Sequence, residues 1–139
     1  MQIQGLQSLE LVDEGFKMFV ENPDGSKAVV PGTAEQLFVM VRSVHSDAAK
    51  AARDRIKNER LKKLSRGTPV SLNTKVTDEE ELDQLVACTA SWNLPITENG
   101  TEVVFSEELV RMVYANRTFA NLRTQVERAA NQDANFTKG

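Results

Sequence analysis

Near the start of the chain, hydrophobic positions recur at every second residue, at Phe16, Met18 and Val20. That is the period of a strand with one face buried. Asn22-Pro23-Asp24-Gly25 follows. Pro presets one backbone angle and Gly accepts a positive one, so residues 16–30 read as two short strands around a turn. Pro31-Gly32 ends the second strand. The run LFVMVRSV at 37–44 is apolar and β-branched at strand length, which predicts a third. The first third of the chain is therefore expected to be a small, mostly antiparallel sheet.

From Ser46 the pattern changes. Ser46 and Asp47 suit an N-cap and an acid near the positive end of a helix dipole. AAKAARDRIKNERLKKL then holds helix formers until Gly67, predicting a helix over roughly 46–65. Its apolar stripe is thin, made of Ala48, Ala49, Ala51, Ala52, Ile56, Leu61 and Leu64, so the helix either projects or packs closely through alanines. RGTPVSLNTKV at 66–76 lacks periodicity and is the expected flexible connection. Thr77-Asp78-Glu79-Glu80 has the form of a capping box, after which Leu82, Leu85, Val86 and Thr89 share a helical face. This second helix is expected to end near Trp92, because Asn93 and Pro95 oppose continuation. Cys88 and Trp92, at i, i+4 spacing, would then lie on one side of it.

ITENGTEVVF at 96–105 predicts a hairpin turning at Asn99-Gly100. Ser106 caps a further helix presenting Leu109, Met112 and Val113. A break follows at Tyr114-Ala115-Asn116-Arg117, and Phe119, Leu122, Val126 and Ala129 then recur at helical spacing. The fold class is α+β, with a small antiparallel N-terminal sheet followed by a mainly helical region of about four helices and a short hairpin. A single domain covers 1–139, with 1–14 and 132–139 read as disordered ends. Leu82, Leu85, Val86, Trp92, Phe105 and Leu109 are the expected core.

Composition narrows the chemistry. A chain of 139 residues, 40% hydrophobic and 27% charged, belongs to the globular range and buries a modest core without staples. No run approaches the roughly 18 apolar residues that span a bilayer, and the start lacks the order of a signal peptide. The expected chain is soluble and cytosolic, so the Asn-x-Thr triplets at Asn99, Asn116 and Asn135 are discounted as glycosylation sites. One cysteine and one histidine leave no disulfide, no zinc ligand set and no adjacent thiol-base pair. Cys88 and Trp92 are types that favour burial, and a core role outweighs a reactive one. Phosphate-cradling glycine motifs are absent. No catalytic residue, cofactor site or metal site is expected, and the chain is read as a non-enzyme.

Eight of the 17 basic residues fall in the first long helix, at Lys50, Arg53, Arg55, Lys57, Arg60, Lys62, Lys63 and Arg66. Such a cluster can track phosphates. However, the net charge is −3, Asp54 and Glu59 interrupt the cluster, and no aromatic residue lies in it to stack on bases. A solvated face complementing an acidic surface fits better, and nucleic acid is not an expected partner. Asp78, Glu79, Glu80, Glu81 and Asp83 open the next helix, so attraction between the two helices is expected.

The order of these pieces resembles the tail assembly chaperones of long-tailed (siphovirus-like) bacteriophages. The resemblance rests on four stretches: FVENPDGSKAVV; SVHSDAAKAARDRI; LDQLVACTASWNL; and VVFSEELVRMVYANRTFANLRTQVERAANQDANF. Together they span residues 16 to 136. His45-Ser46-Asp47-Ala48 departs from the family's shorter D-S junction, and 66–76 matches no family pattern. The resemblance implies a non-enzymatic assembly factor of the infected cell's cytoplasm, absent from the mature virion. Its partners would be the tape measure protein, which it keeps soluble, and the tail tube protein, reached through a longer frameshifted form. Self-association into a homo-oligomer is compatible with coating a long chain.

An apolar helix face at i, i+3, i+4 spacing is the physical requirement for binding an amphipathic helix. Phe119, Leu122 and Val126 of the last helix, with Phe136 in a tail that folds on binding, are the candidate partner contacts. The competing assignment packs the same residues on Leu109 and Trp92. Two other functions are compatible with the sequence. One is a structural head or tail completion protein of the virion, and the other is a nucleic-acid-binding regulator using the basic helix 50–66.

Overall fold

Phe38-Val39-Met40-Val41 forms the strand that has neighbours on both sides. In the computed structural model, which describes residues 3–67 and 74–138, β1 (Phe16–Phe19) and β2 (Phe38–Val41) pair antiparallel, Met18 opposite Val39 and Phe16 opposite Val41. The third strand is β3 (Thr89–Trp92), giving the order β1-β2-β3. Val39 faces Trp92 and Met40 faces Ser91, after which the register skips Ala90 so that Val41 faces Thr89. This bulge kinks the strand where it enters from the preceding helix. Val39 and Val41 are completely buried, as expected for a central strand whose alternate residues face the helices.

The helices are α1 (Asp47–Ser65), α2 (Thr74–Ala87), α3 (Glu107–Ala115) and α4 (Ala120–Asn131). A two-stranded hairpin, β4 (Thr97–Glu98) and β5 (Thr101–Glu102), precedes α3. The α+β architecture of a small antiparallel sheet, about four helices and a short hairpin is as predicted. Local signals hold where they were strongest. Ser46 caps α1 by accepting from the Ala49 N–H at 3.2 Å, and Ser106 caps α3 through the Leu109 N–H at 3.1 Å. Asn99 and Gly100 both have positive φ, 52° and 78°, the pair of left-handed residues that a tight hairpin turn demands.

Several expectations are corrected. Residues 26–30 form no full strand. Isolated bridges, Glu21 with Lys27 and Val29 with Gln36, fold the chain between β1 and β2 into an arm. β1 takes its ladder from β2, because that pairing lets Met18 and Val39 bury together. α2 begins at Thr74, three residues before the proposed cap, so Thr77 lies inside the helix, and Glu80 pairs with Arg60 of α1. α2 ends at Ala87, and Thr89–Trp92 pairs with β2. Cys88 and Trp92 therefore do not share a helical side. Met112, expected to face inward, is exposed, and Val110 and Tyr114 are buried in the face that α3 presents to the core. The connection expected at 66–76 lies largely outside the described residues.

The two ends, expected to be disordered, touch one another. The Leu11 N–H donates to the Phe136 carbonyl at 2.9 Å, and the Phe136 ring meets Phe16 edge-on at 6.5 Å. Asp133–Phe136 forms a 3-10 turn that carries Phe136 into full burial.

The expected core residues Leu82, Leu85, Val86 and Leu109 are buried, and Trp92 and Phe105 pack against them half-buried. The Trp92 ring makes edge contacts with Phe105 at 5.2 Å and Tyr114 at 6.3 Å, so it joins β3 to α3 and to the segment before it. Trp92→Ala is expected to cost about 3 kcal/mol, near the lower end for loss of a large aromatic because part of the ring is solvated. Trp92→Phe should cost less than half as much. Urea unfolding followed by circular dichroism checks both, and a cost below about 0.5 kcal/mol for the alanine variant would mean that the ring is not structural.

Candidate functional site

An apolar groove of about 520 Å³ lies between the arm, the segment following β3, and the start of α4. Val20, Pro23, Ala28 and Leu37 come from the arm, Leu94, Pro95 and Ile96 from the segment after β3, and Val113, Phe119 and Leu122 from the helical side. Val20, Ala28 and Val113 are buried at its base, whereas Phe119 keeps 46% of its surface exposed at its edge. Glu21, Asn22, Thr118, Asn121 and Gln125 add the polar atoms. An apolar concavity with a few placed polar groups is the form that binding sites take.

Side-chain amides position two of these walls. Gln125 on α4 accepts from the Glu21 N–H at 2.9 Å and donates to the Glu21 carbonyl at 2.9 Å, with Asn121 donating to the same carbonyl at 3.3 Å. A single carboxamide thus completes both backbone groups of an edge residue, as a neighbouring strand would. Beyond β3, Asn93 does the same for β2. Its Oδ1 accepts from the Phe38 N–H at 2.7 Å and its Nδ2 donates to the Gln36 carbonyl at 3.0 Å. Asn116 sets the entry to α4. Its carboxamide oxygen accepts from the Thr118 N–H at 3.0 Å and the Thr118 hydroxyl at 2.8 Å. That local cap turns the chain so that Phe119 arrives at the groove.

Of the four expected partner contacts, Phe119 and Leu122 line this groove. Val126 and Phe136 do not, being completely buried elsewhere in the core, and they offer no surface to a partner. Val20, Leu37, Leu94 and Ile96 were missed as groove residues. Each looks like ordinary strand or loop filling, and only the folding of residues 20–37 back toward α4 collects them.

The chain's reactive groups are elsewhere and are masked. Cys88 is buried at the junction of α2 and β3, with its thiol 3.8 Å from the Ser43 carbonyl. Burial pushes the thiol up from 9.0 to about 11, outweighing the opposite pull of Arg53 and Arg42. Tyr114 is displaced upward as well, chiefly by burial. Its hydroxyl lies 2.7 Å from that of Thr89, which donates to the Leu85 carbonyl at 3.0 Å. The Tyr114 O–H is therefore the donor in a relay that ends on the backbone. His45 stands 3.4 Å from Asp133, both exposed and remote in sequence from Cys88.

Among the described residues no group of three or more His, Cys, Asp or Glu side chains is arranged to hold a metal ion. Nor is any helix there long and apolar enough to cross a membrane. On the basic helix, Arg53 donates to the Val44 carbonyl at 2.6 Å and Arg60 pairs with Glu80, as the expected attraction between the two helices requires. Comparison of the chain with models of known protein families, with curated proteins and with solved structures finds no match.

Two measurements follow from this geometry. Gln125→Ala removes the acceptor of the Glu21 N–H and one of the two donors to its carbonyl, leaving Asn121, and should destabilise the arm by about 1–2 kcal/mol, read as faster exchange of the Glu21 amide in hydrogen-exchange NMR. An unchanged exchange rate would show that the amide is held by something else.

The second concerns alkaline pH. Folding raises the Cys88 pKa, so the unfolded chain loses that proton first as pH rises. The stabilisation is complete below 9.0 and is lost as pH climbs toward about 11. Urea unfolding across that window should show a shallower fall in stability for Cys88→Ala than for the native chain. Parallel slopes would contradict the assignment.

Proposed function

We propose that this protein is a non-catalytic assembly factor, a tail assembly chaperone of a long-tailed bacteriophage. It binds the tape measure protein in the host cytoplasm, keeps it soluble and helps recruit tail tube subunits. A longer frameshifted form reaches the tube protein, and neither form remains in the mature virion.

The observation that carries this reading is the groove, with Phe119 half-exposed and Leu122 beside it. Its binding surface is apolar, and its polar atoms are largely used in holding the arm to α4. Such a groove suits one apolar stripe of an amphipathic helix, which a tape measure chain exposes before a tube surrounds it. The sequence resemblance to the chaperone family adds the identity of that helix. Burial of Cys88 and Tyr114 fits a binding role, since neither group is presented to a substrate.

Co-expression with the tape measure protein of the same genome tests the proposal. The native chain should hold that protein in the soluble fraction. Phe119→Asp should weaken binding on the order of tenfold or more, because the partner covers the exposed half of the residue, worth about 1 kcal/mol, and a carboxylate there would also have to be desolvated. Val104→Asp, at an exposed position outside the groove, should behave as the native chain does. A tape measure protein equally insoluble with and without the native chain would overturn the proposal.

A further inference from the structure

Two turns set the side-chain carbonyl carbon of an Asp or Asn beside the backbone nitrogen of a glycine, Asp24-Gly25 in the arm and Asn99-Gly100 between β4 and β5. A backbone nitrogen in that position can attack the carbonyl carbon and close a five-membered imide. Glycine, having no Cβ, leaves the approach open.

The two turns differ in what engages the reacting groups. At Asp24-Gly25 the glycine N–H donates to the Asn22 carbonyl at 2.8 Å, and the Asp24 carboxylate accepts from the Ser26 hydroxyl at 2.6 Å and the Ser26 N–H at 2.9 Å. Those two bonds, the hydroxyl's first, hold the carboxyl below its usual range, so it stays an anion with no leaving group to offer. At Asn99-Gly100, among the described residues, no hydrogen bond engages either the Asn99 carboxamide or the Gly100 N–H. Both residues are exposed, and a Cβ on Gly100 would meet nothing within 4 Å. Behind the turn stand only the Glu98/Thr101 and Thr97/Glu102 pairs and the Val103 N–H, which donates to the Ile96 carbonyl at 2.8 Å. Little opposes its opening.

The other described asparagines lack this freedom. Asn22 precedes Pro23, whose nitrogen carries no hydrogen. Asn58 lies inside α1, where the next N–H belongs to the helix ladder. The carboxamides of Asn93, Asn116, Asn121, Asn131 and Asn135 are all hydrogen-bonded.

We propose that Asn99 is a self-modifying site, converted without an enzyme to aspartate and isoaspartate. As the turn opens, the Gly100 nitrogen gives up its proton to solvent base and attacks the Asn99 Cγ. A C–N bond forms, the bond from Cγ to the amide nitrogen breaks, and ammonia leaves with a proton from solvent. Water then opens the imide. Addition at Cγ breaks the new C–N bond and leaves aspartate. Addition at the Asn99 main-chain carbonyl breaks the original peptide bond and leaves isoaspartate, whose chain runs through the former side chain and is one carbon longer. Isoaspartate cannot keep the turn, because φ of 52° at Asn99 and 78° at Gly100 fits a two-residue loop of ordinary backbone. The longer backbone, with a new carboxylate beside Glu98, loosens β4 from β5. Ile96 and Thr97 also line the groove, so one of its walls loosens too. The inference holds whatever the groove binds.

Incubation of the purified full chain at physiological temperature, in neutral and in mildly alkaline buffer, tests it by peptide mass mapping and by methyl labelling with an isoaspartyl methyltransferase. Acid is expected to accumulate at residue 99 while Asn58, Asn93 and Asn116 stay amides, with isoaspartate in excess of aspartate. The rate should rise with pH, because the attacking nitrogen must lose its proton. Asn99→Gln, whose imide would need a larger ring, should leave that peptide unlabelled. In the converted chain the Val103 amide should exchange several-fold faster than before incubation, and in the incubated Asn99→Gln chain its exchange should not change. An intact Asn99 after an incubation that converts it in the urea-unfolded chain would overturn the inference. Equal conversion at Asn58 or Asn93 would do so as well, as would unchanged Val103 exchange in the fully converted chain.

Discussion

Two side-chain carboxamides stand where backbone strands would otherwise run, and the shape of the molecule around its groove depends on them. β1 and β2 are short, and the chain between them is held by isolated bridges rather than a ladder. Its backbone donors and acceptors still require partners. Asn93 completes β2 at Phe38 and Gln36 on one side, and Gln125 completes Glu21 on the other. The arm is thereby fixed to the sheet and to α4 at once. Apolar residues that are ordinary taken singly, Val20, Leu37, Leu94 and Ile96, become one concave surface with Phe119 at its edge.

What the sequence made legible was chemistry that acts over a few residues. Ser46 and Ser106 cap helices because a hydroxyl meets an N–H three residues on, and Asn99-Gly100 turns because both residues tolerate positive φ. The fold class follows from such signals. Pairing between distant segments was not legible. Thr89–Trp92 has apolar residues that suit a helix face as well as a strand, and what decides is the open edge of β2, about 50 residues earlier in the chain. Phe136 looks like an isolated ring in a polar tail. Its burial depends on Phe16 and on the Leu11 backbone at the opposite end. For the site, helical spacing alone located Phe119 and Leu122, but it counted Val126 as equivalent although that face of α4 turns into the core.

The molecule thus separates two kinds of surface. The sheet and the C-terminal helices enclose a core in which the single thiol and the single tyrosine are sequestered, and they present the groove at one side. The α1/α2 hairpin, stabilised within the chain by Arg60 and Glu80, carries sorted charge and two open leucines. On the proposed reading, the groove is the surface that meets the partner.

The central claim is that the partner occupies the groove between the arm and α4. Hydrogen-deuterium exchange of the native chain, with and without soluble segments of the tape measure protein, tests it most directly. New protection is expected in residues 20–37, 94–97 and 118–125. Protection confined to other parts of the chain, or none at saturating partner, would contradict it.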